Sequence, residues 1–161
     1  MKKILSINQA IKKSGELRHE GKRIVLAGGC FDILHVGHII FLENAKQTAD
    51  VLIVLLESDQ RIHQMKRESR PIQTLQDRAR ILAALERVDY VVPLPFFQND
   101  DQYDKLILSI KPDIIATTKG DPFRHHKERQ AKLIGGTLAN VLTRVKNQST
   151  SRLASVLGKE L

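Results

Sequence analysis

Residues 24–38 constrain the chain more than any other stretch. Ile24-Val25-Leu26-Ala27 is an unbroken apolar run, Gly28-Gly29 closes it, and His35 and His38 follow with Gly37 between them. A short, wholly apolar run bounded by glycines suits a strand buried on both faces. The paired glycines let the backbone turn and approach a bulky anion where a Cβ would intervene. Beyond them Ile39, Ile40, Leu42 and Ala45 recur at helical spacing, so a helix begins near His35 to His38. The turn therefore delivers free N–H groups, the positive end of a helix dipole and two imidazoles to one place.

The pattern repeats along the chain. Residues 6–20 carry Ile7, Ala10, Ile11 and Leu17 near helical spacing, with Ser6 as cap and Gly21 as stop. The helix after Gly37 runs to about Thr48, and the apolar run from Val51 to Leu56 is a second buried strand. Glu57-Ser58-Asp59 lies just past its end, the edge at which open α/β sheets bind ligands. Residues 61–71 are polar and basic and read as a mobile segment. Thr74 caps a helix through Leu85, residues 88–92 form a third strand, and residues 103–110 are helical. Residues 114–117 form a fourth strand, Asp121-Pro122 opens a helix that Gly135-Gly136 ends, and residues 138–142 supply a fifth. A last helix starts near Thr150 and ends by Gly158. Such alternation predicts an α/β fold: a Rossmann-like, doubly wound sheet of about five parallel strands, with right-handed crossovers and helices on both faces. No linker or repeat interrupts it, so residues 1–161 read as one domain, with residues 1–22 as an N-terminal helical extension.

Composition narrows the function classes. A 42% apolar and 27% charged chain is that of an ordinary globular protein, and no run reaches the length of a membrane span. The N-terminus is basic but soon polar, without the apolar core of a signal peptide, so a cytoplasmic location is the expectation. One cysteine, Cys30, excludes an internal disulfide framework. The net charge of +8 favours anionic partners, yet aromatic residues make up only 4%, which leaves few stacking platforms and argues against a dedicated nucleic-acid binder. Neither a Gly-x-x-x-x-Gly-Lys phosphate loop nor a Gly-x-Gly-x-x-Gly fingerprint occurs.

His35 and His38, three apart in a first helical turn, can donate hydrogen bonds to phosphate oxygens and stabilise charge as a phosphoanhydride breaks. A histidine cap or one half of a zinc site are the other readings of such a pair. Asp32 equally suits a turn cap. Lys66 lies in a basic cluster with Arg61, Arg67 and Arg70, and Ser149-Thr150-Ser151 also suits a plain helix start. His125-His126 invites a metal reading, but adjacent helical side chains are expected to diverge and to lie on the surface.

Gly29-Cys30-Phe31-Asp32-Ile33-Leu34-His35-Val36-Gly37-His38 closely resembles the Gly-x-Phe-Asp-x-x-His-x-Gly-His signature of the cytidylyltransferase-like nucleotidyltransferase superfamily. Leu42 to Lys46, Ala49 to Val54, Arg70-Pro71-Ile72, Asp77-Arg78-Ala79 and Val88 to Val91 are similar to the same family's following segments, and Ser149-Thr150-Ser151 resembles its second nucleotide-binding signature. The resemblance implies transfer of a nucleotidyl group from ATP or CTP to a phosphate monoester, with release of pyrophosphate and Mg²⁺ carried by the substrate. Position by position it implies that His35 and His38 bind the triphosphate and stabilise the transition state, with Gly37 allowing close approach and backbone from Gly29, Cys30 and Phe31 nearby. Asp32 would position the acceptor or a metal, Lys66 would neutralise phosphates, and Arg78 would bind substrate or triphosphate. Ser149, Thr150 and Ser151 would donate at the start of the last helix.

Three subgroups are similar: sugar-phosphate adenylyltransferases acting on heptose phosphates, glycerol-3-phosphate cytidylyltransferases, and archaeal-type FAD synthetases. Thr118-Lys119-Gly120-Asp121 matches the Lys-Gly-Gly-Asp loop of the first in part, and Arg144 matches the arginine of the second, whose following threonine and glycine are absent. ATP over CTP, a phosphorylated sugar or polyol, and a homodimer are the resulting expectations. The alternative of another class is a non-catalytic nucleotide- or nucleic-acid-binding module.

Overall fold

The computed structural model describes residues 2–66, 69–143 and 149–160. Five parallel strands form one sheet in the order β3-β2-β1-β4-β5, with β1 Ile24–Gly29, β2 Val51–Leu56, β3 Tyr90–Pro93, β4 Ile114–Lys119 and β5 Thr137–Thr143. The helices are α1 Ile7–His19, α2 Val36–Gln47, α3 Asp59–Met65, α4 Leu75–Ala84, α5 Asp100–Ile110, α6 Arg124–Ile134 and α7 Thr150–Glu160.

Strand alternation sends neighbouring residues to opposite faces. Val25, Ala27, Leu52, Val54 and Leu56 pack on one side against Phe41, Leu42 and Ala45 of α2 and Ala79, Leu82 and Ala83 of α4. Ile24, Leu26, Val51, Ile53 and Leu55 pack on the other against α1, α5 and α6, through residues such as Leu17, Ile107 and Ala131. The sheet is thus covered on both faces, which is why β1 and β2 read as continuous apolar runs. The N-terminal segment also guards an edge: Val91 N–H donates to Lys3 O at 2.8 Å and Leu5 N–H to Val91 O at 2.9 Å along the outer side of β3.

Several boundaries differ from the sequence reading. Residues 61–71 were expected to be mobile, yet most of the first half lies in α3, where Ser58 Oγ accepts the Arg61 N–H at 3.2 Å and Ile62 is wholly buried. One cap and one anchoring side chain outweigh the polar composition. The third strand starts at Tyr90 because Val88 N–H turns back to Leu85 O at 3.3 Å. Helix α6 starts at Arg124 rather than Asp121, whose carboxylate instead accepts the Phe123 N–H at 2.9 Å. Gly135, at φ 65°, ends that helix in the left-handed region. Among the described residues no helix is long and apolar enough to cross a membrane.

Candidate functional site

The chain leaves β1 toward β2 and later returns to β4 on the other side of β1, so a crevice opens beyond the C-terminal ends of these strands. Two clefts occupy it, of about 310 Å³ and about 240 Å³, and they share a wall made of Gly28, Gly29, Phe123 and Lys127.

The first cleft holds both histidines. His35 is the N-cap of α2, with extended backbone, and its Nδ1 accepts the Gly37 N–H at 3.1 Å. His38 Nδ1 accepts the His35 N–H at 3.4 Å. A ring nitrogen that accepts carries no proton, so each neutral imidazole is protonated on Nε2. Among the described residues neither Nε2 has a protein partner, which leaves two donors for a ligand. The rings stack with centroids 3.8 Å apart. Burial lowers the pKa of His35. His38 is pushed down to about 4 by burial, then by His35 beside it and by the charge of Lys66. Both therefore serve as neutral hydrogen-bond donors near pH 7.

The loop between β1 and α2 is held in place by its own residues. Phe31 and Ile33 adopt φ 45° and 50°, in the left-handed region that bulky side chains rarely occupy. Asp32, 1% exposed, anchors this conformation: it accepts from Arg70 Nε at 2.6 Å, Ile72 N–H at 2.9 Å and Gln73 N–H at 3.0 Å. Burial would raise its pKa, but the Gln73 and Ile72 N–H groups and Arg70 together hold it below the usual carboxylate range. The expected role for Asp32 in positioning an acceptor or a metal does not fit this environment, because its oxygens already serve as struts. Gly29 makes room for the Phe31 ring, which lies 5.3 Å from the His38 ring.

Arg78 is a second such strut. It is 1% exposed, and its guanidinium donates to Cys30 O at 2.5 Å, Glu57 O at 2.9 Å, Gln73 O at 3.2 Å and Asp59 Oδ1 at 2.6 Å. Direct nucleotide binding is at odds with a side chain so enclosed; Arg78 instead ties the ends of β1 and β2 to α4. Cys30 contributes that carbonyl, and burial pushes its thiol up, away from nucleophile character. Lys66 is exposed at the C-cap of α3, with its charge felt at His38 but its side chain outside both clefts.

Helix α7 brings Ser149 to Ser151 beside this loop. Thr150 Oγ1 donates to Asp32 O, Ser149 Oγ accepts the Arg152 N–H at 3.2 Å as a helix cap, and Ser151 is exposed. Arg144 lies outside the described residues.

Sequence reasoning missed several lining residues. Asp121 lines the first cleft and accepts from Lys127 Nζ at 2.6 Å and Thr117 Oγ1 at 2.9 Å. Burial opposes its ionisation, but Lys127, the Phe123 N–H and Thr117 keep its pKa low. The second cleft is walled by apolar residues such as Leu26, Leu55, Leu94 and Ile107, with Arg61, Glu57 and Tyr103 as polar members. Tyr103 donates to Glu57 Oε2 at 2.8 Å. Burial pushes the Glu57 carboxyl up against the opposing hydrogen bonds from Tyr103 and Ser58. The His125 and His126 rings do not diverge as expected but sit 3.9 Å apart, with His126 Nδ1 3.3 Å from Asp100. Among the described residues no group of three or more His, Cys, Asp or Glu side chains could hold a metal ion.

The chain is 39% identical over 154 residues to the bifunctional protein HldE of Methylobacillus flagellatus, covering 94% of this chain and 30% of that protein. It is 51% identical over 98 residues to the HldE protein of Sulfurimonas denitrificans, covering 61% of this chain and 20% of that one. The chain thus spans less than a third of these relatives' length. Among solved structures, a lipopolysaccharide core biosynthesis protein from Thermoplasma volcanium is similar at a TM-score of 0.64 and 26% identity, covering 79% of this chain and all of that one. The cytidylyltransferase-like family model matches residues 26–149, from the middle of β1 to the cap of α7. That span takes in both clefts and the two histidines, and the chain belongs to the cytidylyltransferase-like family.

Proposed function

We propose that the chain is a nucleotidyltransferase that moves a nucleoside monophosphate, AMP in preference to CMP, from a nucleoside triphosphate to a phosphate monoester of a sugar or polyol, releasing pyrophosphate. The observation that carries this reading is the stacked, neutral histidine pair in the first cleft at the N-terminus of α2, each ring held by its Nδ1 so that Nε2–H is left free for a ligand. Donors fixed before the reaction stabilise developing phosphate charge without reorganising. An acceptor phosphate is already anionic, so positioning and charge stabilisation suffice, and no protein-bound intermediate is needed.

In this reading the first cleft takes the triphosphate, with the α2 N-terminus and both histidines against its oxygens. Ser149 and Ser151 belong to its outer rim together with Lys66, and the family resemblance assigns Arg144 to the acceptor. Magnesium enters as part of the substrate: Asp121 is the carboxylate facing this cleft, and its oxygens already take three donors. Triphosphate oxygens and water are then the main metal ligands. The second cleft takes the acceptor, with Arg61 for its phosphate and the apolar wall for the less polar face of its carbon skeleton. The similarity to HldE proteins and to a lipopolysaccharide core biosynthesis protein favours a sugar phosphate, and the heptose-phosphate adenylyltransferase resemblance favours ATP.

The test is pyrophosphate release from MgATP and MgCTP across heptose phosphates, glycerol 3-phosphate and other phosphate monoesters. Release with ATP and a sugar phosphate is expected. Tight MgATP binding without release for any acceptor would sink the enzyme reading.

A further inference from the structure

We infer that Lys127 is a further catalytic residue, its ammonium group contacting the phosphate at which transfer occurs. This rests on the two-cleft reading above.

Among the described residues that line the first cleft, Lys127 is the one lysine or arginine. The two histidines there are neutral, since burial lowers both. Lys127 is thus the one cationic side chain, within the described residues, in the wall of the cleft assigned to the triphosphate. Lys127 also lines the second cleft, as one of four residues common to both. The α-phosphorus is the one atom that donor and acceptor must both reach, so a cation on the shared wall stands where that atom has to be.

Its surroundings fit the task. Asp121 Oδ2 holds Nζ at 2.6 Å, and Asp121 has two other donors, the Thr117 hydroxyl at 2.9 Å and the Phe123 N–H at 2.9 Å. The carboxylate is therefore fixed to β4 and to the α6 entry independently of the lysine, and serves as a preset mount for it. An ammonium carries three N–H donors. Asp121 is its one recorded acceptor among the described residues, which leaves two for phosphate oxygens.

In the step itself, an acceptor phosphate oxygen arriving from the second cleft forms a bond to the α-phosphorus. The bond from that phosphorus to the bridging oxygen breaks, and its electron pair leaves with pyrophosphate in the first cleft. Of its two free N–H groups, Lys127 donates one to an α-phosphate oxygen and one to the departing pyrophosphate; it transfers no proton, and Asp121 is a positioning residue.

The experiment compares the full chain with its Lys127→Met and Lys127→Arg variants in three measurements: kcat for pyrophosphate release, pyrophosphate affinity by calorimetry, and thermal unfolding. Lys127→Met should lower kcat by roughly 10²-fold, the effect of losing one transition-state donor, with pyrophosphate bound about 10-fold more weakly and the midpoint little moved. Lys127→Arg should recover part of both losses. Turnover within about threefold of the parent, with pyrophosphate affinity unchanged, overturns the inference and leaves the transfer reading standing. Should the parent release no pyrophosphate with any acceptor, the transfer reading falls, and pyrophosphate affinity alone decides: weakened in Lys127→Met, the phosphate contact holds; unchanged, it is rejected.

Discussion

Thr150 Oγ1 donates to the carbonyl oxygen of Asp32 at 2.5 Å, which fastens the first turn of α7 to the loop leaving β1. The two segments lie 118 residues apart, and this bond joins the histidine half of the site to its C-terminal half. It also means that the Thr150 hydroxyl is already engaged, and that Ser149 and Ser151 are the candidates for contact with a nucleotide. Thr150→Val keeps the shape and removes the donor. It should cost about 1–2 kcal/mol in urea unfolding, the penalty of an unpaired buried carbonyl. MgATP should also bind several-fold more weakly by calorimetry, on the order of 1 kcal/mol, and Thr150→Ser should restore both. Weakened folding with unchanged MgATP affinity would reduce the clasp to a structural bond.

Arg78 should behave as a strut rather than a ligand. Arg78→Met strands the carbonyls of Cys30, Glu57 and Gln73, all of which the guanidinium now satisfies. The loss should be about 3 kcal/mol in urea unfolding, with Asp59 contributing little because its side chain is half exposed. Arg78→Lys should retain a fraction of the stability and bind MgATP in proportion to its folded population. A folded Arg78→Lys protein with MgATP affinity down by more than about tenfold, or 1.4 kcal/mol, would return Arg78 to the nucleotide.

The histidine pair gives stability a pH dependence with a definite sign. His38 is lowered from 6.5 to about 4 by burial first, then by His35 and Lys66, so the unfolded chain takes up the proton before the folded one. Stability from the neutral ring is full above about pH 6.5 and is lost as pH falls to about 4, a change of about 3 kcal/mol. Asp32 and Asp121, held low in the fold, lose their contribution only as pH drops below about 4. Urea unfolding between pH 4.5 and 7.5 should thus show a decline that His38→Asn flattens, with His35 acting in the same direction and the Glu57 carboxyl, pushed up by burial, opposing both. A His38 Hε1 resonance titrating near its ordinary value would contradict this origin.

What could be read before the structure was what depends on neighbours in sequence. The apolar runs of β1 and β2, the Ser6 and Thr74 caps and the helix start at His35 are local patterns, and local spacing determines them. The strut contacts of Asp32 and Arg78 were hidden for the opposite reason. Their partners Arg70 and Cys30 lie 38 and 48 positions away, and a charged residue looks alike as ligand or strut until those partners are known. Lys127 was one basic residue among 26, and only the meeting of β1 with α6 singles it out. The Glu57 and Tyr103 pair, 46 apart, was hidden in the same way, although the position of Glu57 just past β2 was a usable signal.

Gly29 and Gly28 adjoin in sequence and should respond differently to alanine. A Cβ on Gly29 would come 3.0 Å from Phe31 Cε2 and 3.4 Å from its Cδ2 and Cζ, whereas one on Gly28 meets nothing within 4 Å. The Phe31 ring has little room to retreat: it is buried, its backbone is at φ 45°, and the His38 ring lies on its other contact at 5.3 Å. Gly29→Ala should therefore press the ring toward His38 and displace the donor that the mechanism needs. Turnover should fall by about tenfold or more, as expected for a sub-ångström to ångström misplacement, and the His38 Hε1 resonance should shift. The unfolding midpoint should drop by a few degrees, about 1 kcal/mol of overpacking. Gly28→Ala should unfold like the parent, and any loss of turnover there should appear as weaker substrate binding, because its Cβ enters open space on the wall between the clefts. Gly29→Ala with parental stability and turnover would show that the Phe31 ring can move freely and that its packing does not position His38.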